Sequence, residues 1–384
     1  MLFGGDSDTI LTGFKLEQGN NATFHKLCGN RSANQKWKFS CANCKVLFDL
    51  YNTKLVFASF CLNRECVVGP LFPAKEALRE DNKLRIEDRS AHDWYRFVLS
   101  FPAHLVRTYI DRFELGTNHT VLDPFCGTGT TLVECKKNGI QSYGIESNPM
   151  AAFASRTKVS WQINADSLVT HASDIAKLTL RKFAEEGIND EGGLPLFEST
   201  RQTSPKLRIL HPELEKLLLN NSISPLPLHK TLLLLETLEE HKDDTFALYE
   251  RLALAKCLVN EISNLHFGPE IGIGAIKKDA AVINPWFRAI KKIADDIRHL
   301  HQKAIVPAVV HQADARDMVT LFPPNSVDAI ITSPPYPNEK DYTRTTRLSA
   351  PAGESASVSA FAVLRSYRNI TSAFKNWRQF APFA

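Results

Sequence analysis

The sequence predicts an α/β fold built on a parallel sheet, because strand-like and helix-like segments alternate around a glycine-rich turn. A hydrophobic strand at 120–122 precedes the turn, helical spacing covers 130–138, and a second strand follows at 142–145. Strand, helix and strand in this order are typical of a parallel sheet with right-handed crossovers. Two later hydrophobic runs, 305–311 and 327–332, read as further strands of the same sheet.

The chain divides into segments of different character. Apolar residues recur at helical spacing through a long stretch between the two pairs of strands, which predicts a helical insertion. The segments are an N-terminal extension (1–85), the first part of the core (90–155), the helical insertion (156–303), the second part of the core (304–347) and an Ala/Ser-rich tail (348–384). Within the insertion, the glycine-rich run 268–274 is interpreted as a loop.

Composition limits the classes of protein to which the chain can belong. The 384 residues are 43% hydrophobic and 23% charged, which is ordinary for a globular protein. No apolar run is long enough to span a membrane, and the N-terminus lacks the pattern of a secretory signal. We therefore expect a cytoplasmic protein with reduced thiols, in which Cys126, Cys135 and Cys257 are small core residues.

The remaining five of the eight cysteines lie in the first 66 residues. Cys41 and Cys44 form one close pair, and sixteen residues separate it from a second pair, Cys61 and Cys66. This spacing approaches that of a four-thiolate zinc ribbon, so these four residues are candidate zinc ligands. A weakly ordered extension, or a misassigned start site, is the alternative.

The turn after the first strand carries the residues for an adenosine cofactor. Gly127 and Gly129 allow close approach of a ligand to the backbone, while the preceding Asp123 would repel a pyrophosphate and pair with an ammonium group. Glu146 ends the next strand, near the spacing at which an acid binds a ribose diol. S-adenosylmethionine has an ammonium group and a ribose diol, whereas NAD has a pyrophosphate and no ammonium group. A tight turn without a cofactor is the alternative.

Asp314 follows the strand at 305–311 and has two interpretations. At the carboxyl end of a neighbouring strand it is placed to accept a hydrogen bond from the adenine amine of the cofactor. It also lies two residues before Arg316, with which it can form a solvated ion pair.

The tetrapeptide Ser333-Pro334-Pro335-Tyr336 follows the last strand and suits a flat base that bears an amine. The prolines have free carbonyl acceptors and fixed φ angles, so the turn can hold an amine rigidly. Tyr336 offers a ring on which a base can stack, worth roughly 1–3 kcal/mol. A turn with a core tyrosine is the alternative.

With these motifs in place, the chain resembles the amino-group DNA methyltransferases, which methylate cytosine N4 or adenine N6. The resemblance implies a Rossmann-like methyltransferase core that binds S-adenosylmethionine. It adds Phe101, Phe125 and Thr130 to the cofactor site and makes Ser333 to Tyr336 the catalytic residues. Serine at the first position of the tetrapeptide favours cytosine N4 as the target.

The resemblance also implies binding partners and a core that lacks strands at its C-terminal end. DNA is the implied substrate, and the excess of Lys and Arg after Pro337 either meets its phosphates or belongs to a solvated tail. A restriction endonuclease is a candidate partner. A complete core needs about three more strands after Tyr336, so we expect a core that is incomplete at its C-terminus, weak activity of the chain alone, or a second chain that completes the sheet. An RNA amino-group methyltransferase and a non-catalytic remnant that binds cofactor or DNA are the alternatives.

Overall fold

The computed structural model describes residues 45–51, 54–60, 84–96, 100–190, 207–210, 215, 218, 220–267, 271–302 and 305–333. Its strands are β1 Lys45–Tyr51, β2 Lys54–Phe60, β3 Thr120–Asp123, β4 Gln141–Ile145, β5 Leu265–Phe267, β6 Ile271–Ile273, β7 Ala308–His311 and β8 Ala329–Thr332. Six of them form the main sheet in the order β1-β2-β8-β3-β4-β7, and β5 pairs with β6. Because β8, β3, β4 and β7 run parallel, the predicted α/β, Rossmann-like fold is confirmed.

The main sheet continues beyond β8 into the N-terminal part of the chain. Strands β1 and β2 form an antiparallel hairpin, and β2 pairs with β8 from Phe57 opposite Thr332 to Phe60 opposite Ala329. The hairpin sequences are rich in β-branched and aromatic residues, which favour strands. They also cover backbone groups of β8 that an open edge would leave unpaired. The predicted extension over 1–85 therefore needs correction, because two of its segments are strands of the main sheet.

Helices cover the sheet and fill the long interval between β4 and β7. They are α1 Arg89–His92, α2 Ala103–Arg112, α3 Thr130–Lys137, α4 Pro149–Lys158, α5 Ala165–Glu185, α6 Pro225–Glu240, α7 Ala247–Cys257, α8 Ile283–Leu300 and α9 Met318–Leu321. A π-helical turn, Leu258–Ile262, extends α7. The helical character of the insertion agrees with its periodicity, but β6 lies in the run predicted as a loop. The glycine content of this run favoured a loop, but backbone hydrogen bonds to β5 make β6 a strand.

The insertion shares a hydrophobic core with the helices next to the glycine turn. Leu132 of α3 and Phe153 of α4 belong to the same buried cluster as Leu168 of α5 and Trp286 of α8. A second cluster packs α2 against β3 and β8. The three cysteines predicted as core residues (Cys126, Cys135 and Cys257) are buried and unpaired, which confirms that prediction. Within the described residues, none of the helices combines the length and apolar character needed to cross a membrane.

Candidate functional site

The four strand ends singled out in the sequence lie side by side. Because β8, β3, β4 and β7 are neighbours in that order, the residues that end or follow them are arranged as Ser333, Asp123, Glu146 and Asp314 along one edge of the sheet. Parallel strands stand about 4.8 Å apart, so this edge is roughly 15 Å long. The carboxyl edge of an open parallel sheet is where such folds bind ligands.

The glycine turn joins β3 to α3 in a conformation that favours glycine at two positions. Gly127 has φ +52° and Gly129 has φ +84°, both in the left-handed region. A Cβ on Gly129 would lie 2.4 Å from Ser155 Oγ, so this glycine is also required for packing of α3 against α4. A Cβ on Gly127 would meet nothing within 4 Å. The backbone at Gly127 therefore opens onto free space in which a ligand can approach.

Asp123 is a buried carboxylate with one oxygen available. Its Oδ1 accepts hydrogen bonds from the Phe125 amide at 3.1 Å and from the Thr332 hydroxyl at 2.6 Å. Its Oδ2 is buried and has no hydrogen-bond partner in the described part of the chain. Burial raises the pKa of Asp123 to about 6, and these hydrogen bonds only partly offset it. A cationic donor at Oδ2 would satisfy this carboxylate, so the site fits the ammonium of an amino-acid-like cofactor.

Side-chain hydrogen bonds fasten the glycine turn to β8. The Thr332 hydroxyl donates to Asp123, and the Thr131 hydroxyl, at the start of α3, donates to the Ile331 carbonyl at 3.2 Å. Thr332 immediately precedes Ser333. The segment that leads into the predicted catalytic tetrapeptide is therefore held directly against the turn predicted to hold the cofactor. No motif singled out Thr332, because its role depends on β8 lying beside β3.

Glu146 spans the turn from the end of β4. Its carboxylate accepts from the Gly127 amide at 2.9 Å and from the Asn148 amide at 2.7 Å. Burial raises the pKa of Glu146 to about 7, and the negative charge of Asp123 adds to this effect against those backbone hydrogen bonds. The side chain is half-buried, so its remaining lone pairs can face a ligand at the edge of the sheet.

Asp314 pairs with Arg316, as the second interpretation of the sequence allowed. The guanidinium donates to both carboxylate oxygens, at 3.0 Å and 2.6 Å, and lowers the pKa of Asp314. Asp314 nevertheless lies next to Glu146 at the edge of the sheet, as predicted, because the amide of the preceding Ala313 donates to the Glu146 carbonyl at 3.2 Å. Contact with an adenine ring stays a prediction, and Arg316 would have to share or release the carboxylate.

The three residues added by the resemblance lie around the same turn. Phe101 is buried in the segment that leads into α2 and lines a cavity together with Thr130, the first residue of α3. Phe125 is half-buried in the turn itself. Phe101 and the glycine turn are more than twenty residues apart in sequence, so their proximity is a product of the fold.

A buried ionic network that the sequence did not reveal holds α3 against α1 and α2. Glu134 accepts from His92 Nε2 at 2.7 Å, from Arg107 at 2.6 Å and from Lys137 at 3.0 Å. Burial alone would raise the pKa of Glu134, but the His92 hydrogen bond and the charge of Lys137 lower it to about 2. Arg107 also pairs with Asp88 at 2.7 Å. The network joins α1, α2 and α3, the helices that flank Phe101 and follow the turn.

Two predicted groups fall wholly or partly outside the described residues. Ser333 is described and half-buried, whereas Pro334, Pro335 and Tyr336 are not among the described residues. The candidate zinc ligands, Cys41, Cys44, Cys61 and Cys66, also lie outside them. Among the residues that are described, no cluster of three or more His, Cys, Asp or Glu side chains is arranged to hold a metal ion. Zinc therefore gains no support.

Comparison with known proteins shows what the chain is similar to. Residues 30–154 match a family model described as DNA methylase. The type II methyltransferase M.BsoBI of Geobacillus stearothermophilus is 28% identical over 283 residues, which cover 67% of this chain and 52% of that protein. The type II methyltransferase M.AvaI, from Nostoc sp. and from Anabaena variabilis, is 34% identical over 64 residues, covering 17% of this chain and 13% of the relative. No solved structure matches the chain.

The family match covers the glycine turn and its flanking elements. The chain spans about half the length of M.BsoBI. The family match includes Asp123, Gly127, Gly129 and Glu146, the residues whose geometry is described above. Over residues 30–154 the chain is therefore similar to the DNA methylases.

Proposed function

We propose that the chain transfers a methyl group from S-adenosylmethionine to an exocyclic amine of a DNA base, with cytosine N4 favoured over adenine N6. The observation that carries this proposal is the order of Ser333, Asp123, Glu146 and Asp314 along one edge of the sheet. From β3 to β7 the edge covers two strand spacings, roughly 10 Å. That length suits an extended cofactor with an ammonium at one end and an adenine at the other.

Each end of the cofactor would meet a different acid. The free Oδ2 of Asp123 would pair with the ammonium, and this contact would favour the ionised carboxylate that burial disfavours. Glu146 would accept from the ribose hydroxyls, and Asp314 would accept from the adenine amine. When bound, S-adenosylmethionine supplies a methyl group on a sulfonium, which passes to the base amine as that amine releases a proton.

The base would lie one strand away from the ammonium site, beyond β8. Ser333 and the Pro334 carbonyl would accept from the target amine, Pro335 would stiffen the turn and Tyr336 would stack on the base. The Thr332–Asp123 hydrogen bond supports this arrangement, because it limits movement between the cofactor turn and the base site. Such fixed placement of two reactants is a large part of catalysis by orientation. Serine at position 333 is the basis for favouring cytosine.

DNA as the substrate rests on the family rather than on the described surface. The matched family is a DNA methylase, and the relatives are named type II methyltransferases. A target base inside a duplex would have to be flipped out, at a cost of a few kcal/mol. The restriction endonuclease partner, a second chain completing the sheet and the cytoplasmic location stay predictions.

Methyl transfer from labelled S-adenosylmethionine to duplex DNA, with tRNA in parallel, tests the proposal. Because weak turnover is expected, the protein is used in excess over the cofactor, and the DNA is digested to nucleosides to identify the methylated base. We expect label in N4-methylcytosine. Label in N6-methyladenine would refute the choice of base, and label in tRNA alone would favour an RNA methyltransferase. Cofactor binding without transfer to either nucleic acid would favour the non-catalytic remnant.

Tyr336 provides the matched pair of variants for the base site. Tyr336→Ala removes the stacking surface and is expected to lower the single-turnover rate roughly 5- to 150-fold, equivalent to about 1–3 kcal/mol. Tyr336→Phe keeps the ring and should retain most of the rate. Equal rates for the alanine variant and the unaltered chain would show that the tetrapeptide is not the base site.

A further inference from the structure

Three hydrogen bonds from Arg316 hold the carboxylate of Asp314 in one orientation. The Arg316 amide donates to Oδ1 at 2.9 Å, and Nε of the guanidinium donates to the same oxygen at 3.0 Å. A guanidinium NH2 group donates to Oδ2 at 2.6 Å. The planar fork of an arginine matches the two oxygens of a carboxylate, so the side chain of Arg316 limits rotation of the Asp314 carboxylate.

These bonds leave an acceptor position on Oδ2. Each carboxylate oxygen has two lone pairs. Oδ1 accepts two of the three hydrogen bonds, whereas Oδ2 accepts one. The side chain of Asp314 is 39% exposed, so a ligand can reach it. The remaining lone pair of Oδ2 can therefore accept from an amine while Arg316 stays in place.

The backbone sets the position of Asp314 without the side chain of Arg316. The amide of the preceding Ala313 donates to the Glu146 carbonyl at 3.2 Å, and Asp314 caps the short 3₁₀ turn Ala315–Asp317. In the proposed function Glu146 meets the ribose, so an adenine would lie beside Asp314. The backbone thus places the acid, and the guanidinium sets the direction in which the free lone pair points.

The guanidinium also keeps Asp314 an acceptor. Its hydrogen bond lowers the pKa of Asp314 against the opposing effect of partial burial, so the carboxyl is ionised at neutral pH. An ionised carboxylate has no proton to donate. It therefore accepts from the amine of adenine and repels the carbonyl oxygen that hypoxanthine carries at the same position.

We propose that Arg316 is a positioning residue that makes the site select adenine, by holding Oδ2 of Asp314 towards the amine of the ring. The proposal rests on the proposed function, in which this adenine belongs to S-adenosylmethionine. Arg316 acts through Asp314 and does not touch the cofactor. Competition is the opposite effect: if the fork had to open before adenine could bind, Arg316 would weaken binding. The two effects predict opposite signs for a variant that lacks the guanidinium.

Binding of two unreactive ligands separates these effects. S-adenosylhomocysteine carries the adenine amine, and S-inosylhomocysteine carries a carbonyl oxygen in its place. Affinities of the full chain for both are measured by titration calorimetry. We expect the unaltered chain to prefer S-adenosylhomocysteine at least about tenfold, because the carbonyl would face Asp314. Arg316→Gln should lower the affinity for S-adenosylhomocysteine about three- to tenfold and should not lower that for S-inosylhomocysteine.

Two further variants and a control complete the design. Arg316→Lys keeps the charge without the planar fork, so its preference for adenine should be intermediate. Asp314→Asn tests the acceptor itself, because its amide can donate to the carbonyl and should remove most of the preference. Arg298→Gln is the matched control, since Arg298 is also an exposed arginine that donates to carboxylates, those of Asp166 and Asp295 in the helical insertion. It should bind both ligands as the unaltered chain does.

The outcomes distinguish the role of Arg316 from the proposed function. Tighter binding of S-adenosylhomocysteine by Arg316→Gln, or equal losses for both ligands, would overturn the positioning role. A preference that Asp314→Asn removes and Arg316→Gln leaves unchanged would overturn it too, and the proposed function would stand. Equal binding of both ligands by the unaltered chain would overturn the contact of Asp314 with adenine, on which the role of Arg316 depends. Binding of neither would overturn the proposed function, and the role of Arg316 with it.

Discussion

The hydrogen bond from Thr332 to Asp123 can be removed with little change of shape by Thr332→Val. The variant leaves Oδ1 of a buried carboxylate with only the Phe125 amide at 3.1 Å, after loss of a donor at 2.6 Å. Hydrogen bonds to charged groups contribute about 1.5–3 kcal/mol. We therefore expect the free energy of unfolding to fall by about that amount at pH 8.5, where Asp123 is ionised.

The same variant should behave differently in acid, and the sign follows from the pKa of Asp123. Burial raises this pKa to about 6 from an ordinary value of 3.8, so between these values the folded state holds a proton that the unfolded state has lost. Ionisation of Asp123 thus costs stability as the pH rises through this window, about 3 kcal/mol in total. Loss of the Thr332 hydroxyl raises the pKa further and enlarges that cost. At pH 5 the carboxyl is neutral in both proteins, and the difference should shrink to roughly 1 kcal/mol.

Urea unfolding at pH 5 and pH 8.5 measures both quantities. Tryptophan fluorescence is a suitable signal, because Trp94, Trp161 and Trp286 are buried. Thr332→Ser keeps the hydroxyl and serves as the control for lost packing. The reasoning is refuted if Thr332→Val loses the same stability at both pH values, since the lost interaction would then not involve an ionised carboxylate.

Four other substitutions probe the turn and its support. Gly129→Ala should lower the free energy of unfolding by roughly 2 kcal/mol or more, because of its positive φ and its contact with Ser155, and Ser155→Gly should recover part of this; Gly127→Ala, with open space around it, should cost about 1 kcal/mol. Calorimetric melting of the unaltered chain, Gly129→Ala, Gly129→Ala combined with Ser155→Gly, and Gly127→Ala checks this order of stabilities. Glu134→Gln removes one of the two carboxylates that pair with Arg107 and leaves Asp88 as the other, so it should cost about 1.5–3 kcal/mol at pH 7. That difference is full above pH 4.5 and declines as the pH falls towards 2, and a constant difference in acid urea titrations would contradict it.

Local patterns predicted the half of the site that lies on one strand–helix–strand unit. Asp123, the two glycines and Glu146 fall within 24 residues, so strand periodicity and turn chemistry were enough to place them together. Asp314 and Ser333 were assigned to strand ends correctly, but the sequence could not choose between adenine and Arg316 as the partner of Asp314. That choice depends on the rotamer of Arg316, which no periodicity encodes.

Most of the interactions that the sequence missed join distant segments. Thr332 meets Asp123 across 209 positions, and Lys158 meets the Tyr95 carbonyl across 63. Lys158 also lies in the last turn of α4, where a lysine normally points to solvent and caps the helix dipole. Strands β1 and β2 were not predicted from the sequence, because turn residues and paired cysteines surround them. In addition, β8, the partner of β2, lies near the other end of the described chain. Burial of polar groups is decided by such packing rather than by local composition.

The position of β8 has a consequence for how the protein folds during synthesis. It lies inside the sheet, between β2 and β3, yet it is the last of the described strands to leave the ribosome. Until Ala329–Thr332 are available, the N-terminal hairpin has no partner strand and β3 has an open side. The pairing of β2 with β8 spans about 270 residues, and such a non-local pairing is expected to be slow and to leave strand edges exposed in the meantime. A nascent chain that stops short of Ala329 would therefore hold two separate pieces of sheet rather than one sheet with a shortened edge.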